Sequence, residues 1–310
     1  RLAGEDITGS CRNSGGHYQR NDRRAFTAVA FVQQLTEYEP DMTLKISKLN
    51  AAYKKHPVLR NISIELHQGQ VIVLIGPNGS GKSTLLKCIA QIHSQYDGVA
   101  AWENRDLKSL SKRDLAKQLA LLPQHVTAPN GMTVEQLARF GRFPHQGWFK
   151  QWRAEDQAAI NQALSATGLA EMRNVPLSNL SGGQRQRAWI AMVLAQQTPL
   201  ILLDEPISML DIGHQADILN LVRELANQGK SIIMVLHDLA TAARCADCMI
   251  ALKDGQIIAQ GNSRQILTPA LVKQLYNIEV EVQHARSLAQ PDLQRLVVIP
   301  EHFGDPNPCA

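Results

Sequence analysis

A nine-residue glycine-rich segment has the composition and spacing of a phosphate-binding loop. It matches the pattern G-x-x-x-x-G-K-[ST] and consists of Gly76, Pro77, Asn78, Gly79, Ser80, Gly81, Lys82, Ser83 and Thr84. The glycines allow backbone amides to point at phosphate oxygens, and the start of a following helix adds partial positive charge. The Lys82 ammonium could reach the β- and γ-phosphates, and the Ser83 hydroxyl could bind Mg²⁺. We therefore predict a nucleoside triphosphate site.

Two adjacent carboxylates follow an apolar run later in the chain. Leu200–Leu203 is entirely apolar and leads directly into Asp204 and Glu205. Carboxylates at the end of a buried strand are costly unless they meet cations. We predict that Asp204 holds Mg²⁺, directly or through water, and that Glu205 polarises the water that attacks the nucleotide.

The elements that must position these residues form an α/β pattern. Gln70–Ile75, Leu200–Leu203 and Ser231–Leu236 are continuous apolar runs, which are typical of buried parallel strands. An alternating strand, Thr43–Leu49, precedes them, and the stretch from about 124 to 196 is mainly helical in composition. The predicted helices include Lys82 to about Ile92, Ala154–Thr167, Gln184–Gln197 and Ile212–Asn227. This order predicts an α/β core with an inserted helical subdomain.

Composition excludes several classes of protein. Of the 310 residues, 44% are hydrophobic and 19% are charged, which is ordinary for a globular protein and too apolar for a wholly disordered one. The net charge is +4 and the basic residues are scattered, so we predict no nucleic-acid partner. The longest apolar run, Ala188–Ala195, is far shorter than the roughly 20 residues of a membrane-spanning helix. Cys245 and Cys248 form an isolated CxxC pair, which we interpret as two buried thiols and not as a zinc site.

The chain is predicted to have three parts. Residues 1–41 lack a regular apolar pattern, apart from a possible short helix at Ala25–Leu35, and we interpret them as an extension before a natural start at Met42. The alternative interpretation is a regulatory arm. Residues 42–268 are predicted to form the ATPase domain, and residues 269–310 a C-terminal tail that packs on it.

A second glycine pair at a helix start indicates a family. The segment LSGGQ comprises Leu180, Ser181, Gly182, Gly183 and Gln184. A second anion-binding turn, in a chain that already has one, suggests contact with the nucleotide of another subunit. With the earlier motifs in the same order, this segment resembles the signature of the ATP-binding cassette (ABC) family, and the resemblance extends from Met42 to about residue 290.

The resemblance implies a fold and further site residues. The implied fold is a P-loop NTPase, with a RecA-like core, an N-terminal antiparallel β subdomain and an inserted α-helical subdomain. Tyr53 would stack on the adenine of ATP. Gln124 would contact Mg²⁺ and the attacking water, and His237 would touch the γ-phosphate. Ser208 and Asp211 would belong to the loop at which two subunits meet.

Several further segments resemble those of ATPases that drive import. Gly131–Glu135, Gly141–Pro144, Gln184–Met192 and Leu210–Gln215 are similar to the import ATPases for ferric siderophores, haem and cobalamin, and most of all to the ferric hydroxamate type. The resemblance implies ATP and Mg²⁺ as cofactors, a head-to-tail homodimer, two transmembrane permease subunits and a substrate-binding protein. It implies a peripheral location on the cytoplasmic side of the bacterial inner membrane. Haem or cobalamin is the alternative cargo, and a non-transport cassette ATPase or an exporter subunit is the alternative class.

Overall fold

From residue 43 onward, the part of the chain that the structure describes starts with strands and continues as strands that alternate with helices. The computed structural model describes residues 43–146, 152–208, 210–286 and 294–300. The predicted extension, including Ala25–Leu35, lies outside these residues. Within the described ranges, none of the helices has both the length and the apolar composition that crossing a bilayer requires.

The elements are numbered in chain order. The strands are β1 (Leu44–Tyr53), β2 (His56–Leu66), β3 (Val71–Ile75), β4 (Tyr96–Trp102), β5 (Arg105–Asp106), β6 (Leu119–Leu122), β7 (Leu200–Asp204), β8 (Ser231–Val235), β9 (Cys248–Lys253), β10 (Gln256–Gly261), β11 (Val280–Arg286) and β12 (Gln294–Pro300). The α-helices are α1 (Lys82–Ile89), α2 (Lys112–Gln118), α3 (Val134–Phe140), α4 (Ala154–Ala166), α5 (Gly182–Ala195), α6 (Ile212–Asn227), α7 (Leu239–Cys245), α8 (Ser263–Ile266) and α9 (Pro269–Tyr276).

A six-stranded sheet carries the loops of interest. Its strand order is β10-β9-β3-β8-β7-β6, and every neighbouring pair is parallel except β9 with β10. Val71, Val73 and Ile75 of β3 face a core that includes α6, whereas Ile72 and Leu74 face a second core on the other side. Burial of both faces explains the continuous apolar runs. Because these strands are parallel, the loops after β3, β6, β7 and β8 meet at one edge.

An antiparallel sheet covers the second core. Its order is β2-β1-β4-β5, and its inner residues pack with α1 against the central sheet. β1 extends to Tyr53, beyond the predicted end at Leu49. The alternating pattern is interrupted because Lys48 adopts a left-handed φ of 50° and the register with β2 shifts between Ile46 and Leu49. The longer strand places Tyr53 at the tip of the β1–β2 hairpin.

Helices α3, α4 and α5 pack together as a helical layer. A buried ion pair joins Arg142 to Asp156 of α4 at 2.9 Å, and Arg142 also donates to the Ala195 carbonyl at 2.8 Å. A buried pair of this kind is costly to break by removing one partner, so it fixes α4 to the end of α5. The side chain of Gln196 donates from Nε2 to the Leu119 carbonyl at 2.9 Å, which ties this layer to β6.

The described C-terminal elements contact the core as well. Leu271, Val272 and Leu275 of α9 are buried in the same core as Val71, Val73 and Ile75 of β3. Strand β12 pairs with β11 and packs against α7. The boundaries of the three predicted parts of the chain stay a prediction.

Two local predictions are wrong in detail. Helix α1 ends at Ile89 and not near Ile92, because Gln91 adopts a left-handed φ of 55° and its side chain donates to the Tyr96 hydroxyl at 2.7 Å. The chain therefore turns away toward β4. Of the two thiols interpreted as buried, Cys245 is buried at the end of α7, whereas Cys248 is only half-buried at the start of β9.

Candidate active site

Glycine is required at two positions of the loop between β3 and α1. Gly76 has a φ of 139°, and a Cβ there would lie 2.0 Å from the Leu252 carbonyl oxygen. Gly81 has a φ of 103°, and a Cβ there would lie 2.6 Å from Leu59 Cδ2. Gly79 also has positive φ but faces open space. The loop is thus folded tightly against β2 and β9, with its middle exposed.

The Lys82 side chain is buried inside this loop. Its ammonium donates to the carbonyl oxygens of Gly76 and Pro77, each at 2.8 Å. Burial lowers the pKa of Lys82, while the nearby charges of Glu205 and Asp204 act in the opposite direction. The site therefore contains a lysine cation that is held by uncharged acceptors and lies close to two carboxylates.

Two oxygen donors face each other between α1 and β7. The Ser83 hydroxyl donates to Asp204 Oδ1 at 3.1 Å. Burial raises the pKa of Asp204, and the hydrogen bond from Ser83 opposes that shift. Hydroxyl and carboxylate oxygens suit Mg²⁺, which usually takes one or two protein ligands together with substrate phosphates. The described residues include no cluster of three or more His, Cys, Asp or Glu ligands, so this pair could hold Mg²⁺ only with such additional ligands.

Glu205 is the meeting point of three loops. Gln124, after β6, donates from Nε2 to Glu205 Oε2 at 2.7 Å, and His237, after β8, places Nε2 2.5 Å from Glu205 Oε1. Glu205 itself adopts a left-handed φ of 54°, which is uncommon for a residue with a Cβ. Such strain persists where surrounding contacts over-determine it and clusters at functional sites. The three predicted catalytic residues are therefore brought together.

Tyr53 offers an exposed aromatic face. Its side chain is at the tip of the β1–β2 hairpin, and the residue is 43% exposed. The His93 ring packs against it, with ring centroids 4.4 Å apart and planes inclined by 38°. A ring supported in this way could stack on a planar base.

The signature segment forms the start of α5, which begins at Gly182 and not at the predicted Gln184. The reason is a capping box: the Ser181 hydroxyl accepts from the Gln184 amide at 3.2 Å, and Gln184 Oε1 accepts from the Ser181 amide at 3.0 Å. Across the described parts of the chain, no hydrogen bond joins Leu180–Gln184 to Gly76–Thr84. The two candidate anion-binding turns are therefore not joined by hydrogen bonds within the described residues.

The residues after Glu205 make contacts with Glu205 at one end and beside the signature segment at the other. The Ser208 hydroxyl donates to the Glu205 carbonyl oxygen at 3.2 Å. Asp211 caps α6 and accepts from His214 Nδ1 at 2.8 Å, and these bonds lower the pKa of Asp211. The His214 ring lies beside Gly183, where a Cβ would be 3.4 Å from its Nδ1 atom.

Three residues for which the sequence predicted no role in the site touch it. They are His93 beneath Tyr53, His214 beside Gly183, and Tyr276, whose hydroxyl accepts from the Gly76 amide at 3.1 Å. Each contact joins distant parts of the chain, and Gly76 and Tyr276 are 200 residues apart. No local pattern could have indicated them.

Comparison with known proteins extends this picture. The sequence profile of the ABC transporter family matches residues 59–208. The achromobactin transport ATP-binding protein of Dickeya dadantii is 47% identical over 236 residues, which are 76% of this chain and 88% of that protein. The iron(3+)-hydroxamate import ATP-binding protein of Bacillus subtilis is 44% identical over 241 residues, or 77% and 90%. The hemin import ATP-binding protein of Rhodococcus jostii is 38% identical over 242 residues, or 78% and 82%.

A solved structure shares the fold. It is a chain of a metal-chelate type ABC transporter in an inward-facing conformation, with a TM-score of 0.74 and 26% identity, covering 85% of this chain and 99% of that one. The predicted P-loop NTPase fold and the predicted family are confirmed. The chain belongs to the ABC transporter family, as one of its ATP-binding subunits, and is an ATPase.

Proposed function

We propose that this chain hydrolyses ATP to drive the uptake of a ferric siderophore through separate permease subunits in a bacterial inner membrane. The convergence of Gln124, Glu205 and His237 beside the glycine-rich loop carries the catalytic part of this proposal. The cargo is inferred from the relatives, since the two siderophore proteins are 47% and 44% identical and the hemin protein 38%. A hydroxamate siderophore is the expected cargo.

ATP binding uses the hairpin tip and the glycine-rich loop. The adenine stacks on Tyr53, and the phosphates lie against the amides of Asn78–Thr84. The Lys82 ammonium exchanges its two carbonyl acceptors for phosphate oxygens, because a hydrogen bond to a charged acceptor is stronger than one to a neutral acceptor. Nucleotide binding therefore moves the Lys82 ammonium, which burial has already removed from water.

The residues that would hold the metal and orient the attacking water come from the start of α1, the loop after β6 and the end of β7. Ser83, Asp204 and the amide oxygen of Gln124 would hold Mg²⁺, which neutralises phosphate charge when bound. The Gln124 amide nitrogen is occupied by Glu205, so its oxygen is the atom left for the ion. The Glu205 carboxylate orients and polarises water, while Gln124 and His237 keep that carboxylate in place.

The signature segment serves the nucleotide of a second copy. Among the described residues, Leu180–Gln184 makes no hydrogen bond to the glycine-rich loop of its own chain, yet it has glycines and amide groups at the start of α5, a 14-residue helix. Two copies that pack head to tail would each complete the other's site. Ser208 donates to the Glu205 carbonyl, and Asp211 accepts from His214, whose ring lies beside Gly183. These contacts support the proposed role of Ser208 and Asp211 in the loop at which the two copies meet.

A groove on the helical layer is the proposed contact with the permease. It has a volume of about 450 Å³ and is lined by Pro129, Asn130, Gly131, Met132, Gln136, Arg139, Phe140 and Phe143. Phe143 is 56% exposed, and its ring centroid lies 4.8 Å from that of Phe140. The residues of the groove follow Gln124 in the sequence. A permease segment bound in the groove could therefore respond to whether nucleotide is bound at the site. With this contact, the chain would be a peripheral protein on the cytoplasmic side of the membrane. A substrate-binding protein would act on the opposite side.

Transport assays test the cargo. We expect deletion of the gene to abolish uptake of iron supplied as a hydroxamate siderophore, with restoration by the wild-type chain and none by Lys82→Ala. Uptake of haem and of cobalamin is measured in the same strains. Loss of haem or cobalamin uptake with intact siderophore uptake would contradict the proposed cargo, whereas the catalytic proposal is tested separately by the ATPase activity of the purified chain.

A further inference from the structure

A hydrogen bond joins the C-terminal part of the chain to the first residue of the glycine-rich loop. The hydroxyl of Tyr276, the last residue of α9, accepts from the Gly76 amide at 3.1 Å. Burial raises the pKa of Tyr276, so the hydroxyl stays protonated and neutral. Tyr276 is outside the groups to which we assigned a role in ATP binding or hydrolysis, whereas Gly76 begins the loop that binds phosphate.

The Gly76 peptide is held from three sides. Its amide donates to Tyr276, its carbonyl accepts from Lys82 Nζ at 2.8 Å, and its α-carbon lies against the Leu252 carbonyl. Glycine has more backbone conformations available than any other residue, so contacts of this kind select one of them. Of these three contacts, the hydrogen bond to Tyr276 is the one made by a side chain that is far from Gly76 in the sequence.

Helix α9 is itself fixed firmly enough to act as an anchor. Three of its apolar side chains are buried in the core: Leu271, Val272 and Leu275. The Lys253 ammonium at the end of β9 donates to the Gln274 carbonyl at 2.5 Å. The helix ends at Asn277, which has a left-handed φ of 58°. The Tyr276 hydroxyl is therefore presented to Gly76 by a rigid support.

We propose that Tyr276 is a positioning residue for ATP binding, which holds Gly76 so that the glycine-rich loop is preorganised for phosphate. This inference rests on the proposed role of Gly76–Thr84. Without the hydroxyl, the loop populates other conformations. The apparent affinity for ATP then falls in proportion to the fraction of molecules whose loop is competent to bind. The groups around Glu205 keep their contacts, so the rate of hydrolysis from the bound state is unchanged.

The test compares two tyrosine hydroxyls. Tyr276→Phe keeps the ring and removes the acceptor for Gly76. We expect KM and the dissociation constant for ATP to rise about three- to tenfold, the worth of one hydrogen bond, with kcat within about twofold of wild type. Tyr96→Phe is the matched control: it removes a hydroxyl that accepts from Gln91 at 2.7 Å and has no described bond to the loop. We expect this control to leave KM unchanged.

Three outcomes overturn the proposal: an unchanged KM in Tyr276→Phe, an equal rise in the Tyr96→Phe control, or a fall in kcat without a rise in KM. Amide hydrogen exchange of the wild-type chain provides a test that needs no variant. The Gly76 amide is expected to exchange slowly, and exchange at the rate of an exposed amide would also refute the proposal. If Lys82→Ala binds ATP as well as wild type, the proposed nucleotide site is wrong, and that result is distinct from a failure of the role of Tyr276.

Discussion

Replacing Glu205 by glutamine removes one charge while preserving the contacts of the site. The amide oxygen can still accept from Gln124 Nε2, where the carboxylate does so at 2.7 Å. The amide nitrogen can donate to His237 Nε2 when that ring carries its proton on Nδ1. The water, however, loses the group that polarises it, so the effect is expected on the chemical step and not on ATP binding.

The expected loss in kcat is about 10²–10⁴-fold, or about 3–5 kcal/mol of activation free energy, with KM within a few-fold of wild type. Steady-state hydrolysis of ATP with Mg²⁺ measures both. Glu135→Gln is the matched control, because that carboxylate has a similarly small exposed fraction, 15% against 10% for Glu205, and pairs instead with Arg139 and Arg173. A normal kcat in Glu205→Gln, or an equal loss in Glu135→Gln, would refute the catalytic assignment.

The same variant tests the head-to-tail dimer. Without hydrolysis, ATP is expected to hold two copies of Glu205→Gln together, as seen by size-exclusion chromatography with ATP and a chelator of Mg²⁺. Adding Ser181→Asp keeps a good helix cap but places negative charge where the phosphates of the partner would lie, so the dimer is expected to dissociate. Adding Ser181→Asn keeps the cap without charge, so the dimer is expected to persist. A dimer that survives Ser181→Asp contradicts the composite site.

Further variants probe binding, stability and coupling. Lys82→Ala removes the buried cation of the glycine-rich loop and is expected to abolish ATP binding, as measured by calorimetry; binding of normal strength would show that the site is misplaced. Burial lowers the pKa of Lys230 to about 8, so between about pH 8 and 10 the unfolded chain carries a proton that the folded chain lacks. From pH 7 to pH 10, the free energy of unfolding of the wild type is therefore expected to rise by about 2–3 kcal/mol relative to Lys230→Met in urea titrations, and parallel pH profiles would contradict this. Phe143→Asp is expected to spare the ATPase activity of the isolated chain and to abolish transport, and normal transport would exclude the groove as the permease contact.

The sequence allowed the local parts of the site to be predicted, because each depends on neighbouring residues. The apolar strand before Gly76 and the loop itself follow from short-range rules. The convergence on Glu205 came instead from a family resemblance, since three separate strands must meet before those side chains touch. No local sequence pattern indicated the bond from Tyr276 to Gly76, because nothing in α9 distinguishes this half-buried tyrosine from one that only packs on the core.

The backbone conformation of Glu205 implies a conflict between heat resistance and activity. Its left-handed φ of 54° is strained for a residue with a Cβ but comfortable for glycine. Its charge is also one of the causes that raise the pKa of the neighbouring Asp204, because the two carboxylates repel each other. Both effects make this position less stable than it could be. Under selection for thermal stability alone, replacement of Glu205 is therefore expected to stabilise the fold and, at the same time, to lower the rate of ATP hydrolysis.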